Sequence, residues 1–205
     1  MPTRAELRSM VRLRLEDTSP TPLWDDATLN DALGAAMHTY SARVPIEKAL
    51  SVAIAAGAVS VPLVVAGSPL EARQVVAVLD DAGVAIPRTR GAGGDATGPV
   101  SWRVFAGTLV LSRPLSSAAT WTVRYLAPRT LPTDDVTAVE LVPGDAPIVA
   151  SLAAATLLRR RAIEDAKRGL PAASLTVLAD RFESQANAEL AARKRRLIGS
   201  WADVA

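Results

Sequence analysis

Cysteine is absent from this 205-residue chain, histidine occurs once, and phenylalanine and tyrosine occur twice each. Without cysteine there are no disulfides and no thiolate metal sites. A lone histidine, His38, cannot assemble a conventional zinc site, and its mid-helix setting reads as helix surface or edge of core. Aromatic residues make up 4 % of the chain and hydrophobic residues 49 %, so a core has to be built from Ala, Val and Leu. With 21 % charged residues, chain-wide disorder is excluded. Long apolar runs are missing too. The longest, Ala146 to Leu158, is well short of the ~20 residues that cross a bilayer. Arg4, Glu6, Arg8, Arg12 and Arg14 interrupt the N-terminal apolar stretch, against a signal peptide. The expectation is a soluble protein made in the cytoplasm. The net charge of +2 lacks the dense basic character of a nucleic-acid binder.

What is present is an ordered change of texture. Thr3-Arg4-Ala5-Glu6 has the form of a capping box, and Leu7, Met10, Val11 and Leu15 follow at helical spacing. Pro20 and Pro22 end that helix. Asp25 is placed to cap a second helix with the apolar face Leu29, Ala32, Leu33, Ala36, Met37 and Tyr40, closed by Pro45. From Ile46 to Pro128 the period becomes that of strands. Runs at 49–54, 58–65, 74–79, 84–88, 100–105, 108–112 and 121–126 give six or seven strands, with Ala106-Gly107 as a hairpin turn and one more strand open at Val139 to Val142. Asp145 as cap and Pro147 in the first turn open a third helix to about Lys167, apolar almost all round in its first half. A fourth, from about Ala172 to Ile198, carries the stripe Leu175, Leu178, Phe182, Ala186 and Leu190. The fold class is therefore α+β. A helical bundle from the two chain ends (residues 1–45 and 131–205) receives an inserted antiparallel β sandwich or small barrel (residues 46–130).

Chemistry-bearing motifs are sparse. The glycine-rich stretch Gly91 to Gly98 has neither the G-x-G-x-x-G spacing nor the Lys-Ser/Thr of a phosphate cradle, and no G-x-S-x-G elbow occurs. Asp25-Asp26, Asp80-Asp81 and Asp134-Asp135 are paired carboxylates, but each sits where caps and turns favour Asp. No catalytic residue, cofactor or metal is expected. Three basic features remain: Arg4, Arg8 and Arg12 on one helix face, Arg159-Arg160-Arg161, and Arg193-Lys194-Arg195-Arg196. The last is followed at helical spacing by Leu197, Ile198, Trp201 and Val204, an apolar tail that either docks into a partner or packs back on the bundle.

Leu7 to Leu15, Trp24-Asp25-Asp26-Ala27-Thr28-Leu29, the Ala-rich helix with Tyr40 and Pro45, and the C-terminal helix pair with Ala146 to Leu158 and Phe182 to Ala191 form a recognisable series. It resembles the head-to-tail adaptor (head-completion, or connector) proteins of tailed bacteriophages and related gene-transfer particles. The resemblance covers the helical parts, around half the chain; the strand-rich middle matches less clearly. It implies a structural virion protein at the head–tail junction, made in the host cytoplasm. Identical subunits, commonly twelve, would form a ring below the portal protein. That ring would extend the DNA channel, let DNA pass through its lumen and meet the next neck or tail protein, with no membrane involved. In such adaptors the C-terminal segment docks on the portal, which maps onto Arg193 to Ala205, including Arg193, Lys194, Arg195, Arg196, Leu197, Ile198, Trp201 and Val204. The competing readings are a DNA-binding regulator using the basic helices, another neck or tail-completion protein, and an enzyme resting on the paired aspartates.

Overall fold

The computed structural model describes residues 1–89 and 98–202, with side chains described through Ala192. The fold is α+β, with four helices and antiparallel sheets among the described residues. The chain divides into two compact units, Met1–Pro45 with Pro128–Ala205, and Ile46–Ala127.

The first unit is helical. Helix α1 (Arg4–Arg14) opens on the expected capping box: Glu6 N–H donates to Thr3 Oγ1 (3.3 Å) and Thr3 N–H to Glu6 Oε2 (2.9 Å). Helix α2 (Asp26–Arg43) is capped by Asp25, which accepts from Thr28 N–H at 2.7 Å. Helices α3 (Ala146–Lys167) and α4 (Ala173–Ala202) are joined through Gly169, whose φ of +74° is the left-handed turn that glycine takes at a helix end. Every residue of α3 from Ile148 to Ala155 is buried. A helix apolar on all sides needs cover on all sides, and α1, α2 and α4 each pack against α3. Leu7 and Val11, then Leu29, Leu33, Met37 and Tyr40, then Ala186 and Leu190, enclose it in one core. Within α1, Met10 faces solvent and Leu15 is only partly buried. In α4 the expected stripe faces the core at Leu175, Phe182, Ala186 and Leu190 and differs at one position. Ala179 is buried and Leu178 is exposed, because the facing residues are Ala155 and Leu158 and a small side chain fits there.

Asp145 departs from its expected role. It sits at the N-cap position of α3, but its side chain makes no capping bond. Its carboxylate, fully buried, accepts from Tyr40 Oη at 2.7 Å, while its backbone carbonyl takes the N–H groups of Ile148 and Val149. Tyr40 Oη also accepts from Val142 N–H. The segment 139–142 is not a strand: Val139 and Leu141 are buried, yet Val139 N–H bonds to Pro2 O and Leu141 N–H to Val139 O, leaving no ladder. Where the chain returns from the β unit, Arg129 is fixed to the helical unit. Its N–H donates to Ser41 Oγ, and its guanidinium donates to the carbonyls of Val44, Pro45 and Glu140.

The second unit has eight strands among the described residues: β1 (Ile46–Ile54), β2 (Ser60–Pro62), β3 (Val64–Val65), β4 (Ser68–Pro69), β5 (Val75–Leu79), β6 (Trp102–Phe105), β7 (Thr108–Leu111) and β8 (Ala119–Ala127). They form the antiparallel sheets β1-β8-β5, β2-β7-β6 and β3-β4 around one core. Trp121, Val123 and Tyr125 alternate inward on β8 as their period-2 spacing requires. The run expected at 58–65 is broken at Leu63, after Pro62, into β2 and β3. The run expected at 84–88 is not a strand; only the isolated bridges at Ala85 and Arg88 remain, and Pro87 has no N–H to continue a ladder. Ala106 (φ +48°) and Gly107 (φ +73°) make the β6–β7 turn with both central residues left-handed, the geometry that matches strand twist. A Cβ at Gly107 would collide with Pro69 Cβ.

Burial, reinforced by the bond to Asp145, pushes the Tyr40 hydroxyl up to about 12. An unfolded tyrosine ionises near 10, so this group's contribution is full below pH ~10 and is lost as pH rises toward 12. Tyr40→Phe should cost about 1–3 kcal/mol at neutral pH, since it strips a buried carboxylate of a donor. Urea unfolding of both proteins at pH 7 and across pH 9–12 checks this. The gap between them should narrow as the wild type loses stability at high pH.

Candidate docking surface

Helix α4 carries the expected docking segment, and its position follows from how α4 is held. Ala179, Phe182, Ala186 and Leu190 supply the contacts to α3 and its neighbours. Arg159 of α3 adds ion pairs to Asp180 (2.8 Å) and Glu183 of α4. Leu190 is the last buried side chain among the described residues, and the helix continues to Ala202. At ~1.5 Å per residue those last twelve positions add roughly 18 Å of helix. Arg193, Lys194, Arg195, Arg196, Leu197, Ile198 and Trp201 lie on these turns; their side chains, and Val204 altogether, lie outside the described residues. The glycine-rich stretch from Gly91 to Thr97 lies outside them as well.

The arginine face of α1 is engaged within the fold. Arg8 meets Asp135 with two parallel bonds, Nη1 to Oδ1 at 2.7 Å and Nη2 to Oδ2 at 2.6 Å, and Arg4 Nε adds a third at 2.7 Å. Arg12 spans Asp17 (3.0 Å) and Asp26 (2.8 Å), and Arg8 also reaches Asn30 (3.1 Å) and Asp26. Asp17 in turn accepts from Leu23 N–H at 2.6 Å, fixing the segment between α1 and α2. The sequence places these arginines on one face through their four-residue spacing. The carboxylates that answer them come from three separate segments, and only the folded chain shows that they meet.

The paired aspartates divide their work. Asp25 caps α2, and the Thr28 N–H holds its carboxyl below the usual range. Asp134 takes the N–H groups of Val136 and Thr137 in its own turn and is likewise lowered, Thr137 being the main cause. Asp135, next to it, is lowered furthest, first by Arg8 and then by Arg4. Asp80 accepts from Ala82 and Val84 N–H in the β-unit turn. His38 is exposed on α2, and among the described residues no three His, Asp or Glu side chains come together in a way that could hold a metal ion.

No protein-family model matches this chain. A search of curated proteins likewise returns no match.

The middle basic run, Arg159 to Arg161, is mostly internal in its business. Arg159 is tied to α4 and Arg161 to Asp165 (3.0 Å), while Arg160 lines a cavity of about 300 Å3 with Leu23, Trp24, Asp25, Thr28, Arg161 and Glu164. That lining mixes both charge signs and suits neither a phosphate nor a cation.

The Arg8–Asp135 clamp has a definite pH signature. A depressed carboxyl stabilises the fold above its unfolded value, near 3.9, and that contribution fades as pH falls toward the folded value. Asp135→Asn should therefore lower stability at pH 7, with the difference from wild type shrinking below pH ~4. Thermal melts of the two proteins from pH 7 to pH 2.5 check it; a difference independent of pH would contradict it.

Proposed function

We propose that the chain is a structural virion protein, a head-to-tail adaptor that forms a ring of identical subunits below the portal, extends the DNA channel and meets the next neck or tail component. The supporting observation is α4: 30 residues long, anchored on its own fold through Ala179, Ala186 and Leu190, and helical to Ala202 over positions whose sequence is a basic run followed by an apolar tail. A helix held at one end by its own fold and extended at the other offers a partner an amphipathic segment that is already helical, with its ordering cost already met. The resemblance of the helical segments to phage adaptors supplies the partner's identity, the portal protein.

The DNA-binding regulator relies on basic faces, and two of the three are occupied. Arg4, Arg8 and Arg12 answer Asp17, Asp26 and Asp135, and Arg159 and Arg161 answer Asp180, Glu183 and Asp165. What weight it keeps comes from the C-terminal run, which the adaptor reading uses as well.

Deleting Leu197 to Ala205 should leave the chain folded, because the last described buried anchor, Leu190, is retained. It should abolish incorporation into particles at the head–tail junction. Immunolabelling of purified, nuclease-treated particles by electron microscopy, with full-length and truncated chains, reads this directly. Label confined to the junction for the full chain and reduced to background for the truncated one is the expected result. Normal incorporation of the truncated chain would overturn the docking role, and abundant, antibody-permeable, unlabelled particles would overturn the virion reading. In the second case DNA affinity falling steeply with salt would favour the regulator.

A further inference from the structure

Strand β1 forms a rim of the sheet β1-β8-β5, and its register against β8 is unbroken from Ile46 opposite Ala127 to Ile54 opposite Ala119. On β8, Leu126 N–H donates to Gln74 O, on the β5 side. Successive residues of an antiparallel strand turn their N–H and C=O to alternate sides. Leu126 is opposite Glu47, so Glu47, Ala49, Ser51 and Ala53 turn their backbone groups away from β8. Among the described residues, no backbone hydrogen bond from another segment reaches that edge.

Proteins blunt such edges with charge, proline, bulges or a covering segment. The other rims here are treated in this way. The β5 edge is bulged at Val75/Ala77 and covered where Ile86 N–H donates to Val78 O and Asp80 N–H to Val84 O. The β6 edge is covered by Pro87 and Thr89, both bonded to Trp102. Strand β2 has three residues, one of them Pro62. Strand β1 has nine residues and charges only at Glu47 and Lys48; from Ala49 to Ile54 it carries no charge, proline, glycine or bulge. Ala49, Ser51 and Ala53 are exposed.

We propose that this edge pairs with the same strand of a second copy of this chain, antiparallel about a dyad at Leu50, joining two three-stranded sheets into one of six. The argument for a second copy is the strand's self-complementarity. With the dyad at Leu50 all nine residues overlap, and the outward groups of Glu47 and Ala53, and of Ala49 and Ser51, face each other twice, for about eight new backbone bonds. On the core side Ile46 meets Ile54 and Leu50 meets Leu50, extending the apolar row that packs on the second core, while the exposed Lys48 falls opposite Val52. On the other face Ala49 meets Ser51 and Glu47 meets Ala53, and no charge faces a like charge. The pairing does not rest on the adaptor reading. A dyad contact is not the head-to-tail contact of a ring, so the pair is a state of the free chain.

Sedimentation of the full chain from low to high micromolar concentration tests this, alongside two double variants at exposed positions. Ala49→Lys/Ser51→Lys sets lysine opposite lysine at both outward pairs, and Ala49→Glu/Ser51→Glu does the same with glutamate. The wild type should reach the mass of two chains. Each double variant alone should stay at one, and their equimolar mixture should return to two. A wild type that remains at one chain throughout overturns the proposal and leaves the edge to a strand of another protein. An assembly of any size that is indifferent to both variants also overturns it, and a many-chain ring of that kind would leave the adaptor reading standing.

Discussion

The helical unit is organised by one constraint, a helix that has no polar side. From Ile148 to Ala155 every residue of α3 is buried, and seven of the ten residues from Ala146 to Ala155 are Ala, Ser or Pro. Small side chains let other helices come close, and the absence of a polar face means that three of them must. The two chain ends meet for this reason. α1, with its two buried residues, and α4, with Ala179, Ala186 and Leu190 buried among its described residues, both find their apolar cover on α3. Ser151 Oγ satisfies itself on the Pro147 carbonyl, and the fully buried Asp145 carboxylate is tolerated because Tyr40 donates to it at 2.7 Å.

Charge then fixes what burial leaves loose. An arginine every fourth residue gives α1 a charged face, and three carboxylates from separate segments converge on it. The pairs to Asp135 and Asp26 are exposed on the carboxylate side and so individually weak, whereas Asp17 is buried beneath Arg12. Their geometry is nonetheless specific: Arg8 reads Asp135 with both nitrogens, and Arg12 joins the post-α1 turn to the start of α2. The effect is to set the angle of α1 and to pin the 130–140 connection against it.

How much of this could be read from sequence depended on how local the cause was. The capping box at Thr3, the Asp25 cap, the Pro45 stop and the Ala106-Gly107 turn each depend on a few neighbouring residues, and each is where the pattern put it. The α+β class was legible for the same reason, since periods of 3.6 and 2 are local. Features with distant causes were not. Asp145 looks like a helix cap by position, and only the arrival of Tyr40 from 105 residues away turns its carboxylate to another partner. Val84 to Arg88 has strand composition, but Pro87 and a covering position on two sheet rims leave it as bridges. In α4 the difference between Leu178 and Ala179 is decided by the room left beside Ala155 and Leu158.

The same distinction bears on the candidate site. A charge run in sequence announces only that several cations are adjacent; whether they are available depends on what the fold brings to them. Of the three basic features, α1's face is matched by aspartates, and the run on α3 is largely matched by α4 and by Asp165. Both matches serve to build the helical unit. The third feature begins at Arg193, three residues beyond Leu190, on turns that the described core does not reach. The sequence sets Leu197, Ile198 and Trp201 at helical spacing just after that basic cluster. Under the proposed reading a partner takes up that apolar stripe and answers the four cations, which is why the weight of the reading falls on the end of α4 and not on the arginines of α1, whose charges are already answered within the fold.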